Sequence, residues 1–137
     1  MAKANSHTMP SDIKLHRKSA VLELCYAGSG DYSLSAEFLR VHSPSAEVRG
    51  HGKGQEVLQI GKRQVGILKV SPVGNYAIKL SFDDGHDSGI YSWGYLEELC
   101  QQHDTLWQAY LEKMTLVGAS RDILPVGTQV INIQPLS

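Results

Sequence analysis

Residues 75–99 read NYAIKLSFDDGHDSGIYSWGYLEEL, and the hydropathy of this segment organises the rest of the chain. Tyr76, Ile78, Leu80 and Phe82 alternate with Ala77, Lys79 and Ser81, the two-residue period of a strand with one buried face. Asp83-Asp84-Gly85-His86-Asp87-Ser88-Gly89 follows, and its glycines supply turn angles closed to other residues. Ile90-Tyr91-Ser92-Trp93 then reads as a short aromatic strand leading into a helical pattern. The predicted order is strand, turn, strand, helix.

Downstream, Leu96, Leu99, Cys100, His103, Trp107, Tyr110, Leu111 and Met114 recur at three- and four-residue spacing. That stripe predicts one long C-terminal amphipathic helix, with two helices divided at Asp104-Thr105 as the alternative. Gly118 suits a C-terminal cap. Residues 119–137 form an extension, read either as an edge strand over Thr128–Ile133 or as a mobile tail.

Upstream, residues 1–11 have little to bury and are expected to be a disordered tail. Alternation at Ile13 and Leu15, and again over Val21–Tyr26, predicts two strands, and Gly28–Asp31 turns into a third at Tyr32–Leu34. Ser35 is placed to start a short helix over Ala36–Val41 that ends before Pro44. SPSAEVRGHGKGQE, residues 43–56, reads as one long loop, and loops of this length are usually functional or mobile. Strands are expected again at Val57–Ile60 and Gln64–Val70, with Val65 and Ile67 on one face, and Pro72, Gly74 and Asn75 form the next turn. The fold class is therefore α+β: a small, mostly antiparallel sheet, a short helix after the third strand, and the long helix. Residues 12–118 are read as a single domain.

Composition bounds the function. The 137 residues carry a formal net charge of -1 and are 42% hydrophobic and 20% charged, ordinary for a folded domain. No general electrostatic grip on nucleic acid follows from that charge, and no apolar run approaches the roughly 20 residues of a membrane span. The N-terminal residues show no charged region followed by an apolar core, so no secretory signal is expected. Cys25 and Cys100 form no CxxC pair and read as structural thiols in a reducing cytoplasm.

No catalytic set is evident. A G-x-S-x-G elbow is missing, and Gly50–Gly54 lacks the strand–loop–helix setting of a phosphate loop. Asp83, Asp84 and Asp87 lack the spacing and closing Glu of a calcium loop, so they read as turn caps. His42, His51 and His86 have no fixed metal spacing, although imidazole suits zinc or iron if folding gathers them.

Two stretches, YSLSAEFLRVHSPSAEVRGH from Tyr32 to His51 and the Asn75–Leu99 segment, together resemble the gamma-butyrobetaine hydroxylase N-terminal-like domain. The resemblance spans about residues 12–100 and rests on the paired Leu39-Arg40 and Asp84-Gly85-His86 landmarks. It implies a small β-rich module found before an iron oxygenase domain, alone in bacteria, or fused to P-loop iron–sulfur carrier proteins. The family's zinc motif has three cysteines after the Leu-Arg pair and a histidine in the later turn. Here His86 stands in the turn, while Ser43, Ser45 and Val48 fall at the cysteine positions. Serine is a poor zinc ligand and valine is none, so no cofactor is expected, and the loop at 43–56 is expected to be mobile without its clip.

The resemblance and the residues together point to a non-catalytic binding or adaptor module, linked by the family's fusions to iron–sulfur or iron-enzyme assembly. Its unknown protein partner would meet Arg40, Ser43, Ser45, Arg49, Asp84, His86, Asp87, Tyr91 and Trp93. The alternative is a small zinc- or iron-binding protein or enzyme using His42, His51 and His86 with nearby Asp. The expected oligomeric state is a monomer or a weak homodimer joined at a sheet edge.

Overall fold

A computed structural model describes residues 9–50 and 54–122. The fold is α+β, as the pattern predicts, but its strands divide into two antiparallel three-stranded sheets. The first contains β1 (Asp12–His16), β2 (Val21–Tyr26) and β3 (Gly30–Ser35) in that order. Short helices α1 (Ala36–Val41) and α2 (Ala46–Arg49) lead to the second sheet of β4 (Ile67–Val73), β5 (Ala77–Phe82) and β6 (Gly89–Ser92). Helices α3 (Trp93–Gln101) and α4 (His103–Val117) follow.

Both sheets turn one face to a shared core. Leu22, Leu24 and Leu34 from the first sheet meet Ile78, Leu80 and Phe82 from the second, closed by Phe38 and Leu39 of α1 and Leu96 and Leu99 of α3. Each fully buried leucine contributes about 1.5–3 kcal/mol, more than a helix cap at about 1 kcal/mol. Packing therefore sets the architecture, and caps set where elements begin. Ser35 caps α1 through Phe38 N–H at 3.0 Å, as expected, and Ser92 caps α3 through Tyr95 N–H at 3.2 Å. Gly118 ends α4 in the left-handed conformation at φ 66, which is why glycine stands there.

Several expectations change. The long helix breaks at Gln102, two residues before Asp104, because Leu96, Leu99 and Cys100 face the main core while Tyr110 and Met114 face a second cluster with Val41. Residues 57–60 form no strand; Val57 instead makes a single backbone bond to Val48 O at 2.8 Å. The stretch 43–56 contains α2. Trp93 opens α3 rather than ending a strand, and Pro72 lies within β4, tolerated because β4 is an edge and proline's missing N–H faces outward. Tyr76 precedes β5 and is exposed, while Ala77 takes the buried position.

The chain after Gly118 turns back onto the body. Gly61 and Arg63 donate to Ser120 O and Arg121 O, and Arg121 holds the buried Glu37 carboxylate through two hydrogen bonds at 2.8 and 2.7 Å. Thr128–Ile133, read as an edge strand or tail, lies outside the described residues, as do residues 1–8.

Gly89 opens β6 where the strand passes close to Ser43. A Cβ there would lie 2.8 Å from Ser43 Oγ and 3.0 Å from the Tyr91 ring. Gly89→Ala is expected to cost about 1–3 kcal/mol through overpacking, read as a lower urea midpoint at unchanged slope.

Candidate functional site

The site forms where the end of α1 meets the turn between β5 and β6. Phe82 N–H donates to His86 O at 2.8 Å and closes the turn, with Gly85 at φ 92, an angle side chains resist. Asp84 Oδ1 accepts from His86 N–H at 3.2 Å, the turn-capping role expected of this segment. Asp84 Oδ2 accepts from Arg40 Nε at 2.9 Å and Lys62 Nζ at 2.6 Å. Arg40, buried on the last turn of α1, also donates to Gln59 Oε1 at 2.9 Å.

Beside this ion pair, Ser43, His86 and Glu47 stand in a line. Ser43 Oγ is 2.8 Å from His86 Nε2, and His86 Nδ1 is 3.0 Å from Glu47 Oε1. A carboxylate accepts only, so the Nδ1–H donates to Glu47 and Nε2 accepts from the Ser43 hydroxyl. Ser43 Oγ accepts in turn from Ser45 N–H at 3.3 Å, and Ser88 Oγ donates to Glu47 at 3.1 Å. The order serine, histidine, acid matches that of a hydrolase triad. Ser43 is 0% exposed, however, with the Gly89 backbone against it, so no substrate carbonyl reaches its oxygen.

The remaining sequence candidates fall around this corner. Tyr91 is buried and donates to Leu39 O, anchoring β6 to α1. Arg49 lies over the Tyr95 ring at 4.9 Å, and Tyr95 donates to His42 O at 2.6 Å. Ser45 Oγ is buried without a hydrogen-bond partner among the described residues, and Asp87 is exposed. Trp93 belongs to a different corner, donating from Nε1 to Asn75 O at 2.8 Å. Glu47, Lys62, Gln59 and Tyr95 were not singled out from sequence. Glu47 lies four residues past Ser43 on a one-turn helix, and nothing local links it to a histidine 39 positions further on.

Among the described residues, His42 and His86 engage different partners. His42 Nδ1 contacts Phe38 O at 2.8 Å, and the Phe38 ring is flanked by His42 and His103, each at 4.5 Å. Both ring nitrogens of His86 already have partners, and neither His42 nor His86 belongs to a group of three or more candidate donors among the described residues. His51 lies outside those residues. The family zinc position fares no better. Ser43 and His86 do meet, but through a direct hydrogen bond, and Val48 offers only hydrocarbon. This donor set does not fit zinc.

Next to the corner runs a groove of about 460 Å³ between α1, α2, α4 and residues 56–59. Its floor is apolar, built from Val41, Val48, Leu58 and Tyr110, and Arg49 and Lys113 line it as cations beside Glu56. Leu116 at its margin is 81% exposed.

Protonation of the site has a defined sign. Burial, then the Arg40 charge, holds the His86 pKa below its ordinary 6.5 despite Glu47 and Asp84, and burial lowers His42 likewise. Burial raises the Asp84 carboxyl, but Lys62, the His86 N–H and Arg40 outweigh it and leave it lowered. Lowered folded-state values mean that the unfolded chain takes up protons first. The histidine contribution is therefore complete above about pH 6.5 and is lost as pH falls through that value. Urea midpoints are expected to drop between about pH 7.5 and 5.5, and His86→Gln, which hydrogen-bonds without titrating in this range, should flatten the drop.

Comparison with known proteins fits this geometry. The family described as gamma-butyrobetaine hydroxylase-like, N-terminal, matches residues 13–97. One solution NMR structure is 52% identical, with a TM-score of 0.76, over 92% of this chain and 100% of that one. A second is 41% identical, with a TM-score of 0.74, over 96% of this chain and 99% of that one. A crystal structure of a DUF971-family protein of unknown function from Acidithiobacillus ferrooxidans is 36% identical, with a TM-score of 0.56, over 66% of this chain and 91% of that one. No curated protein matches. The chain belongs to the gamma-butyrobetaine hydroxylase-like N-terminal domain family.

Proposed function

We propose that this chain is a non-catalytic binding module that receives an acidic, apolar segment of a protein partner in the groove between α1, α2 and α4. The observation that carries the reading is the groove itself, with an apolar floor, two cations and an exposed leucine at its margin. Leu116 is 81% exposed at the edge of this groove, and apolar surface framed by charge is the usual form of a recognition site. Arg49 and Lys113 select for carboxylates in the partner. Val48 and Arg49 come from the segment after Pro44, so the groove overlaps the contact surface expected from sequence.

The adjacent corner supports the non-catalytic part of the reading. Its serine, histidine and carboxylates are engaged with one another, and the nucleophile-like oxygen is enclosed. The family resemblance suggests iron–sulfur or iron-enzyme assembly as the setting of the partner. We further infer a cytoplasmic location, consistent with the free thiols Cys25 and Cys100. No helix among the described residues is long and apolar enough to cross a membrane.

The test compares wild-type protein with Leu116→Glu and Lys113→Glu as affinity baits, with Leu68→Glu as a control on the exposed face of β4. A partner held by wild type and Leu68→Glu, and weakened at least about tenfold by both groove variants, supports the reading. Its isolated acidic segment should then shift Val48, Leu58 and Tyr110 resonances. Equal capture by all four proteins rejects the groove. Self-association lost in Leu116→Glu, seen by sedimentation, would make the occupant a second copy.

A further inference from the structure

The outer face of the first sheet carries a donor set unrelated to the groove. On β2, Leu22, Leu24 and Tyr26 point to the core, which places Glu23 and Cys25 on the opposite face. Antiparallel pairing sets Asp31 of β3 directly across from Cys25, and Lys14 of β1 across from Glu23. One ligand atom each from Glu23, Cys25 and Asp31 lies within 4.8 Å of the others, and among the described residues no other group of three or more His, Cys, Asp or Glu converges this closely. His16 Nε2 sits 3.0 Å from Glu23 Oε1. A thiol, two carboxylates and an imidazole thus come together from three strands whose register is set by the buried leucines.

We propose that Glu23, Cys25 and Asp31 form a surface site for a thiophilic divalent cation of the Zn²⁺ or Cd²⁺ class, with His16 orienting the Glu23 carboxylate. Sulfur and carboxylate oxygen are the donors such ions accept, at about 2.3 and 2.0–2.2 Å, with water completing a tetrahedron. Those bond lengths place ligand atoms roughly 3.5 Å apart, so closure from 4.8 Å needs side-chain rotation and no backbone change. Cys25 is half-buried on a face that makes no core contact, and it is a free thiol. The second thiol, Cys100, is buried in the core on α3 and serves as an internal control.

Binding is a proton exchange: the cation forms a bond to Cys25 Sγ and the thiol proton leaves to solvent, with no change of oxidation state. Because the thiol must lose its proton to bind the cation, uptake weakens as pH falls. The bound cation cancels two of the three negative charges it gathers, and Lys14 opposite Glu23 offsets the remainder.

Cd²⁺ titration of untagged protein, followed by the ultraviolet thiolate-to-cadmium band and by proton release, tests the site; Zn²⁺ competition then extends it. One equivalent with one proton released is expected. The band should vanish in Cys25→Ser and survive in Cys100→Ala, and binding should weaken roughly ten- to a hundredfold in His16→Ala. Asp31→Asn, on an exposed strand position where folding is not at risk, should weaken it as well. NMR shifts should centre on His16 and leave His42 and His86 unmoved, while the groove and its partner are unaffected. A band that follows Cys100, equal binding by Asp31→Asn and Glu23→Gln, or no band at one equivalent would each overturn the site.

Discussion

Arg40 and Ser43 are tied across 44 and 43 residues of chain to Asp84 and His86, and the placement of both sheets depends on that tie. Two three-stranded sheets with one buried face each could slide over a common hydrophobic layer, since apolar burial is non-directional. Hydrogen bonds and ion pairs with fixed geometry remove that freedom. Arg40 Nε on Asp84, the Ser43–His86 contact, and Tyr91 donating to Leu39 O all join the end of α1 to the β5–β6 hairpin. These groups are buried or partly buried, where an unmade bond costs more than a made one contributes. The arrangement is therefore specific rather than merely compatible.

The same logic accounts for the order of the segment from Ser43 to Arg49, which carries no cysteine. A metal cross-link orders a loop by covalent-like bonds. Here the crossing is made instead by a chain of donors and acceptors, from Ser45 N–H through Ser43 and His86 to Glu47. The single helical turn of α2 after Ser45 places Glu47 within 3.0 Å of His86 Nδ1. Further fixing comes from residues beyond the family match, where Arg121 covers the buried Glu37 carboxylate and lies over Trp107 at 5.1 Å.

The buried tie and the two regions proposed for binding occupy separate parts of this architecture. Ser43 and His86 are buried and Glu47 reaches them from the surface, while the groove beside them and the outer face of the first sheet are open. The groove combines side chains from distant segments, α1, α2, α4 and residues 56–59, whereas the thiol–carboxylate cluster is built on the adjacent strands β2 and β3.

The sequence by itself determined the elements whose physics is local. Strand periods at Val21–Tyr26 and over Ile78–Phe82, the Ser35 cap, the Gly118 terminus and the apolar stripe from Leu96 to Met114 depend on neighbours within a few residues, and the structure keeps them. The Leu-Arg and Asp-Gly-His landmarks likewise marked Arg40, Asp84 and His86 as one region. Tertiary structure alone decided that the strands form two sheets, that the long helix bends at Gln102, and that Glu47 and Lys62 complete the corner. It also set His42 on Phe38 O and His86 between Ser43 and Glu47, and brought donor atoms of Glu23, Cys25 and Asp31 together. The physical reason is that these outcomes depend on which distant surfaces share the core and in which register, and neither is encoded in the period of any one segment.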